Sequence, residues 1–518
     1  MTVEESCTSN TSAVGVEPDY FETVFPLSEK SGSVVCPVRF WSRCQATRVA
    51  VRLFRAAAAR PERTAAGLER TAARPERTAA RSVIYSVTPD VLTYSDLDER
   101  ITSIQNELRK EERQKAGPDF EFLTGLVAEP TADTVATLFA CFREKIPVVL
   151  HGTRTPSGET ARSLIALDSS RRLRREIGAL SDRLDLDGVA TAVFTSGSSG
   201  RPKLAAHSIR NHFESAKAAC LHVPLLTSDS WLLSLDLSHV GGLGILFRSL
   251  LSGASVSIVE TGWSANCVRL PGVTHVSLVA AQLRHVLDLP HDGFTGERQL
   301  LVGGGPIPAD LIRKAVRSGY LVRTTYGLTE LSSQVSTSPC WEKAQKRYSA
   351  GSLLGHCEAR VRGDGVLLLR SKSVFLGYLE NGNLVASVDS EGWFCTNDLV
   401  SIDEGELYVR GRSDSMFISG GENIHPQEIE EVLLSLTGVK RAVVVPVPDT
   451  EYGSRPVAFI AVDDGQITIK RVRIELSSRL PGFKIPDHFF DFPADSSLHP
   501  GSTDREEFQR LASELVSG

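Results

Sequence analysis

Thr195-Ser-Gly-Ser-Ser-Gly-Arg-Pro-Lys203 follows directly on the apolar run Ala190 to Phe194, and this junction decides how the chain is read. A short apolar run bounded by turn residues reads as a buried strand. After it, Thr195, Ser196, Gly197, Ser198, Ser199 and Gly200 offer hydroxyls and backbone amides to a phosphate. The glycines permit tight turns, and Lys203 adds a positive charge. The spacing is not that of a Walker A loop, which needs G-x-x-x-x-G-K-[ST]. On these residues alone, a polar surface loop is the alternative.

Outward from that loop, short apolar runs alternate with helical patterns. Ile146 to Leu150, Ser230 to Leu235, Ser255 to Val259, His275 to Leu278 and Leu300 to Val302 read as strands. His207 to Cys220, Gly242 to Leu251, Ala280 to Leu287 and Pro308 to Ser318 read as helices, and 92–110 as a capped amphipathic helix. Such alternation implies an α/β fold with mainly parallel, helix-covered sheets. Residues 357–411 switch to short strands with glycine turns, a β-rich subdomain. After Arg412 comes a smaller α+β unit. Pro426 begins its first helix, Val443 to Val447 and Val457 to Val462 are strands, and Thr503 with Glu506 has capping-box spacing before a last helix. The expected organisation is an N-terminal region 1–82, a large domain 83–411 and a small domain 412–518.

Three further segments carry chemistry. Tyr326-Gly-Leu-Thr-Glu330 offers a ring face for a purine, a hydroxyl at Thr329 and a carboxylate at Glu330 able to hold Mg²⁺ beside polyphosphate. It follows Gly303-Gly-Gly305 by about twenty residues. A strand end with a helix cap explains the same residues. Asp398, in Gly392-Trp-Phe-Cys-Thr-Asn-Asp398, can accept both hydroxyls of a ribose or simply cap a turn. The last segment runs from Gly411-Arg-Ser-Asp414 through Ser419-Gly-Gly421 to Pro426.

Composition bounds the rest. With 518 residues, 41% hydrophobic and 23% charged, the chain is not disordered throughout and has material for two or three domains. Its net charge of −6 gives no support to a nucleic-acid or basic membrane-surface protein. No apolar run approaches the ~20 residues that cross a bilayer, and the polar, acidic start is no signal peptide. Nine scattered cysteines without C-x-x-C read as reduced thiols in a cytoplasmic protein. Residues 60–80 repeat RPERTAA, GLERTAA, RPERTAA, a surface insertion from local duplication or a short partner-binding helix.

In this order and at these intervals the segments resemble the core motifs of the adenylate-forming superfamily of acyl-CoA synthetases, adenylation domains and luciferases. The resemblance covers about residues 90–490. It implies a large N-terminal domain and a small C-terminal domain that rotates about Asp414 between two poses. It implies ATP, Mg²⁺ and CoA as co-reactants. By position, Thr195 to Lys203 becomes the phosphate loop, with Gly303, Gly304, Gly305 and Gly327 lining the nucleotide. Tyr326 stacks near adenine, Thr329 touches the α-phosphate and Glu330 holds the metal. Asp398 takes the ribose with help from Arg412, and Ser419, Gly420 and Gly421 line the pantetheine path. Thr195, Lys203, His239, Glu330 and Arg412 form the implied catalytic set.

Ser234-Leu-Asp-Leu-Ser-His239 narrows the subfamily. Amino-acid-activating members carry an Asp where His239 stands, and a neutral His cannot pair with an ammonium. With His275 to Leu283, Tyr452 to Phe459 and Gly420 to Pro426, the chain looks most like the o-succinylbenzoate–CoA ligases of menaquinone biosynthesis. That resemblance implies o-succinylbenzoate, ATP and CoA as small-molecule partners. His239, Gly304 and Arg248 become the acid site, with Arg248 on the ring carboxylate. A surface arginine is the plain alternative for Arg248. Another aryl or fatty acyl-CoA ligase, or a nucleotide-binding remnant, is the alternative for the chain, and a homo-oligomer is compatible with each. One departure stands out: the family's C-terminal G-K-[IV]-x-R is here Gly501-Ser-Thr-Asp-Arg505, with Ser502 in place of the lysine. Lys484 lies in a separate turn.

Overall fold

The computed structural model describes residues 33–38, 49–54, 90–114, 124–152, 183–195, 203–290, 298–342, 348–380, 383–462, 467–493 and 505–517. The repeat at 60–80, the loop interior 196–200, and Ser502 with Thr503 lie outside the described residues.

Strands Ser230–Leu232, Ser255–Val259, His275–Leu278, Gln299–Val302 and the start of Leu321–Leu328 pair in parallel. Parallel neighbours cannot be joined by a tight turn. Helices Val240–Ser252, Ala280–Leu287 and Ala309–Arg317 make the crossovers. Val256, Ile258, Val276, Leu278, Leu300 and Val302 are all buried, as strands covered by helices require. The run read as a strand to Leu235 ends at Leu232, because Ser234 turns its hydroxyl onto the Ser277 carbonyl at 2.5 Å. Val49–Phe54 adds a further parallel strand and Asp90–Thr93 an antiparallel edge.

Strand Leu321–Leu328 changes partners along its length. Leu321 to Thr324 pair in parallel with Gln299–Val302, and Thr325 to Leu328 pair antiparallel with Ser333–Thr337, with a bulge between Tyr326 and Gly327. From there the sheet runs on antiparallel through Ser352–Leu353, Glu406–Arg412, Phe394–Asp403, Val366–Ser371 and Cys357–Val361, making thirteen strands among the described residues. The antiparallel region therefore begins at Ser333, earlier than its apolar pattern suggests. Its first strands are rich in serine and threonine and show no apolar alternation.

A second, six-stranded sheet carries Val189–Thr195 between Val148–His151 and Lys203–Ser208. Lys203–Ser208 runs antiparallel to Val189–Thr195, with Thr195 opposite Lys203. Thr195 and Lys203, the residues that bracket the Gly-Ser segment, are thus direct cross-strand partners. The helix read from His207 begins instead at Ile209, after Ser208 and Asn211 close a reciprocal cap.

A histidine seam joins the two sheets. His207 Nε2 donates to the Thr329 carbonyl at 2.7 Å, linking the second sheet to the end of Leu321–Leu328. His212 lies flat on Phe247, centroids 4.7 Å apart, and bonds Thr191 Oγ1 at 2.7 Å. Burial pulls His207 down to about 4, and burial with the neighbouring His207 holds His212 well below its ordinary value.

Residues after Phe417 build their own core. Val439–Asp449, Gly453–Val462 and His488–Asp491 form a sheet packed by Pro426–Ser435, Ile469–Ser477 and Arg505–Ser517. Buried Glu430 accepts from Val444 N and Arg505 Nη2, each at 2.8 Å, fastening the last helix. Among the described residues no buried apolar cluster mixes residues before Leu407 with residues after Phe417.

The seam makes stability acid-sensitive. Above about pH 6.5 His207 is neutral folded or unfolded; below it only the unfolded chain gains the proton, until about pH 4. Stability is therefore lost as pH falls through that window, by up to about 3 kcal/mol from this residue. His207→Gln, which keeps a donor for Thr329, should show a shallower fall of the thermal midpoint with acid than wild type. Parallel pH profiles would show that His207 contributes nothing to the acid loss.

Candidate active site

The C-terminal edge of a parallel sheet is where open α/β folds bind ligands. Here that edge is bare backbone. Gly303 follows Gln299–Val302, and a Cβ on it would stand 2.6 Å from Thr325 Cγ2. Gly304 has φ +79°, open to glycine at no cost. A Cβ on Gly327 would fall onto the Ser333 carbonyl. All three glycines stand beside the end of Leu321–Leu328.

Tyr326 and Asp398 meet there. The Tyr326 hydroxyl donates to Asp398 Oδ2 at 2.5 Å, and Arg412 Nη1 donates to Asp398 Oδ1 at 3.3 Å. Asp398 and Arg412 are direct cross-strand partners. Arg412 also grips Asp414 with Nε at 2.8 Å and Nη2 at 2.5 Å. Burial pushes the Asp398 carboxyl up, against the pull of the Tyr326 bond and the Arg412 charge. Burial and the facing Asp398 hold Tyr326 well above its usual value, so its proton stays on. The bond to Asp414 raises Arg412. Each Asp398 oxygen keeps a lone pair for a ligand hydroxyl.

Glu330 and Lys203 stand on either side of a residue that the sequence reading passed over. The Tyr378 hydroxyl donates to Glu330 Oε1 at 2.6 Å, and Lys203 Nζ lies 4.9 Å from the centre of the Tyr378 ring. Strand Gly377–Glu380 pairs with Lys203–Ser208, which puts Tyr378 opposite Ala205. Only that long-range pairing reveals it. Burial and the Glu330 charge raise Tyr378, so it remains a donor. Glu330 keeps its second oxygen. Among the described residues no three acidic, histidine or cysteine side chains group as a metal cage. One carboxylate with an uncommitted oxygen, sharing Tyr378 with the Lys203 ammonium, is a donor set that suits Mg²⁺, which commonly binds one or two carboxylates plus substrate phosphates. Thr195, opposite Lys203 in the pairing, reaches the Lys203 carbonyl at 3.5 Å.

His239 is the exposed N-cap of Val240–Ser252 and makes no side-chain cap bond. Arg248, nine residues on, is no surface residue. It is 2% exposed, its Cζ sits 4.5 Å from the Trp231 ring, and Nη1 donates to Gln334 Oε1. Its Nε has no partner among the described residues. No carboxylate among the described residues lies within ion-pair reach of it, and burial pulls it down to about 10, still charged at neutral pH.

The small unit's candidates lie apart from these. Ser419, Gly420 and Gly421 form a hairpin turn in which both glycines have positive φ. Gly420 N donates to the Tyr452 carbonyl at 2.9 Å, and Arg455 Nη1 reaches Ser419 Oγ at 3.3 Å. Lys484 pairs with Glu428 at 2.6 Å within the same unit.

Known proteins share this fold. The AMP-binding enzyme family matches residues 167–379, and the AMP-binding enzyme C-terminal domain matches 428–496. The 2-succinylbenzoate–CoA ligase of Haemophilus influenzae is 34% identical over 326 residues, 62% of this chain and 70% of that one. The Listeria monocytogenes ligase of that name is 34% identical over 317 residues, 60% and 68%. A variant of E. coli MenE with bound OSB-AMS superposes with TM-score 0.72 at 25% identity, over 92% of this chain and 98% of that one. The Bacillus subtilis o-succinylbenzoate coenzyme A synthetase, solved with ATP and a magnesium ion, gives TM-score 0.70 at 25% identity, over 89% and 96%. With its two matched segments, its ligase relatives and its fold in agreement, this chain belongs to the AMP-binding, adenylate-forming enzymes, in the 2-succinylbenzoate–CoA ligase family.

Proposed function

We propose that the protein is an ATP-dependent acid–CoA ligase that activates o-succinylbenzoate and passes it to CoA, a cytoplasmic step of menaquinone biosynthesis. The observation that carries the acid's identity is Arg248, a buried cation with no carboxylate partner among the described residues. An acid with a second carboxylate supplies one. Benzoate-type or fatty acids would leave that charge unanswered, at a desolvation cost of several kcal/mol.

In the first half-reaction the succinyl carboxylate attacks the α-phosphorus of ATP. An O–P bond forms, the α–β bridge breaks, and pyrophosphate leaves with the bonding pair. Positioning and charge neutralisation carry this step. Asp398 receives the ribose hydroxyls, held in place by Tyr326 and Arg412. The segment from Thr195 to Lys203 takes the phosphates, with Thr329 at the α-phosphate. Glu330, steadied by Tyr378, would hold Mg²⁺, which when bound neutralises the polyphosphate. In the second half-reaction the CoA sulfur attacks the acyl carbon; AMP leaves with the anhydride oxygen, and the thiol proton is lost to solvent. The small unit turns about Asp414 between the halves and brings Ser419, Gly420 and Gly421 to the pantetheine arm.

No helix among the described residues is long and apolar enough to cross a membrane, and all seven described cysteines are free thiols. Both agree with a reducing cytoplasm.

The deciding experiment is pyrophosphate release with o-succinylbenzoate, with benzoate and with a medium-chain acid as rivals. Release with o-succinylbenzoate alone is expected; equal release with all three would sink the acid assignment. Arg248→Ala should lower kcat/KM for o-succinylbenzoate by roughly 2–5 kcal/mol, the scale for truncating one side of a desolvated charge pair. An analogue without the ring carboxylate should lose little, and matched losses would put Arg248 outside the acid site. Glu330→Gln should slow adenylate formation at least ~100-fold while transfer from supplied acyl-adenylate to CoA changes far less. Equal damage to both halves would contradict its place beside the triphosphate.

A further inference from the structure

Gln334, on strand Ser333–Thr337, stands between Arg248 and a hydroxyl network. Its amide nitrogen donates to Thr337 Oγ1 at 2.8 Å and to Thr325 Oγ1 at 3.3 Å. Thr325 Oγ1 gives its own proton to the Ser336 carbonyl at 2.7 Å, so toward Gln334 it can only accept. That chain of donors fixes which way the amide points: nitrogen to the threonines, oxygen to Arg248 Nη1. The other flank of the guanidinium is kept bare by Gly244, one turn before it. A Cβ there would stand 3.5 Å from Arg248 Nη2 and 3.2 Å from Ser333 Oγ, so any larger side chain would cover Nη2.

We propose that Gln334 is a positioning residue that makes the acid site select a dicarboxylate: its neutral oxygen holds the Arg248 guanidinium in place and leaves the positive charge for the second carboxylate of the acid. This rests on the reaction proposed above. A glutamate at 334 has the same size and reach but brings its own charge. It would form an internal ion pair with Arg248, and an arriving carboxylate would meet a neutralised site beside a like charge. An acid without the second carboxylate loses nothing by that exchange. Selectivity at this site therefore depends on an acceptor that is strong enough to orient the cation and too weak to satisfy it.

The test compares pyrophosphate release by wild type, Gln334→Glu and Gln334→Met with two acids, o-succinylbenzoate and 4-oxo-4-phenylbutanoate, the same keto acid without its ring carboxylate. Gln334→Glu should lose about 30-fold or more in kcat/KM for o-succinylbenzoate, mainly through KM, and stay within about threefold of wild type on 4-oxo-4-phenylbutanoate. Gln334→Met, which removes the oxygen without adding charge, should shift the preference the same way by a smaller factor. Activity on the second acid reports that each variant is folded. Equal losses on both acids, or an unchanged preference in Gln334→Glu, would overturn the proposal. A wild type inactive on o-succinylbenzoate would instead overturn the reaction on which it rests.

Discussion

The carbonyl oxygen of Ser333 occupies the place where residue 327 would carry a Cβ, and the arrangement of the site depends on that exclusion. Only glycine lets Ser333–Thr337 close onto Leu321–Leu328 one residue after the Tyr326 bulge. The fold-back gives one strand two neighbours of opposite sense, so the parallel sheet hands over to the antiparallel one within a single element. Tyr326 is delivered to Asp398, Gln334 to Arg248, and the turn Thr329–Leu331 to the second sheet. There His207 takes the Thr329 carbonyl, and Tyr378 takes the Glu330 carboxylate.

The charges are sorted by what surrounds them. Asp398 lies between one neutral donor and one cation, and burial alone would protonate it more readily than those partners permit. Arg412 is shared between Asp398 and Asp414, so strand Phe394–Asp403 and the start of the small unit are tied by one guanidinium. Lys203 and Glu330, opposite in sign, are spaced by an aromatic ring instead of paired. Neither is neutralised by the other, as the proposed binding of a polyphosphate and its counter-ion requires.

Much of this was legible in the chain because it is local. Strands Ser255–Val259 and His275–Leu278 and helix Ala280–Leu287 end where their apolar runs end, and Pro426 opens its helix as its fixed φ favours. The motif residues Tyr326, Asp398 and Arg412 do converge. What escaped was set by distant pairing. Lys203–Ser208 is a strand because Val189–Thr195 and Gly377–Glu380 flank it, although its own sequence reads toward the following helix. Tyr378 and Gln334 lie in unremarkable contexts, and only the sheet register brings them to Glu330 and Arg248. The burial of Arg248 was equally hidden, since an arginine on an amphipathic helix normally faces water.

A guanidinium sealed among Trp231, Gln334 and the thiol of Cys220, which burial keeps protonated, burdens the resting protein. Natural sequences sit only slightly above the stability their task demands, and changes that relieve such a burden are easy to find. Here the relief and the task oppose each other. A search for heat-resistant forms would be drawn to substitutions that give Arg248 an anionic neighbour or swap it for a close-packed apolar side chain. Under the role proposed for Arg248, the survivors would be sturdier proteins that had lost their means of telling one acid from another, and a melting curve alone would score them as improvements.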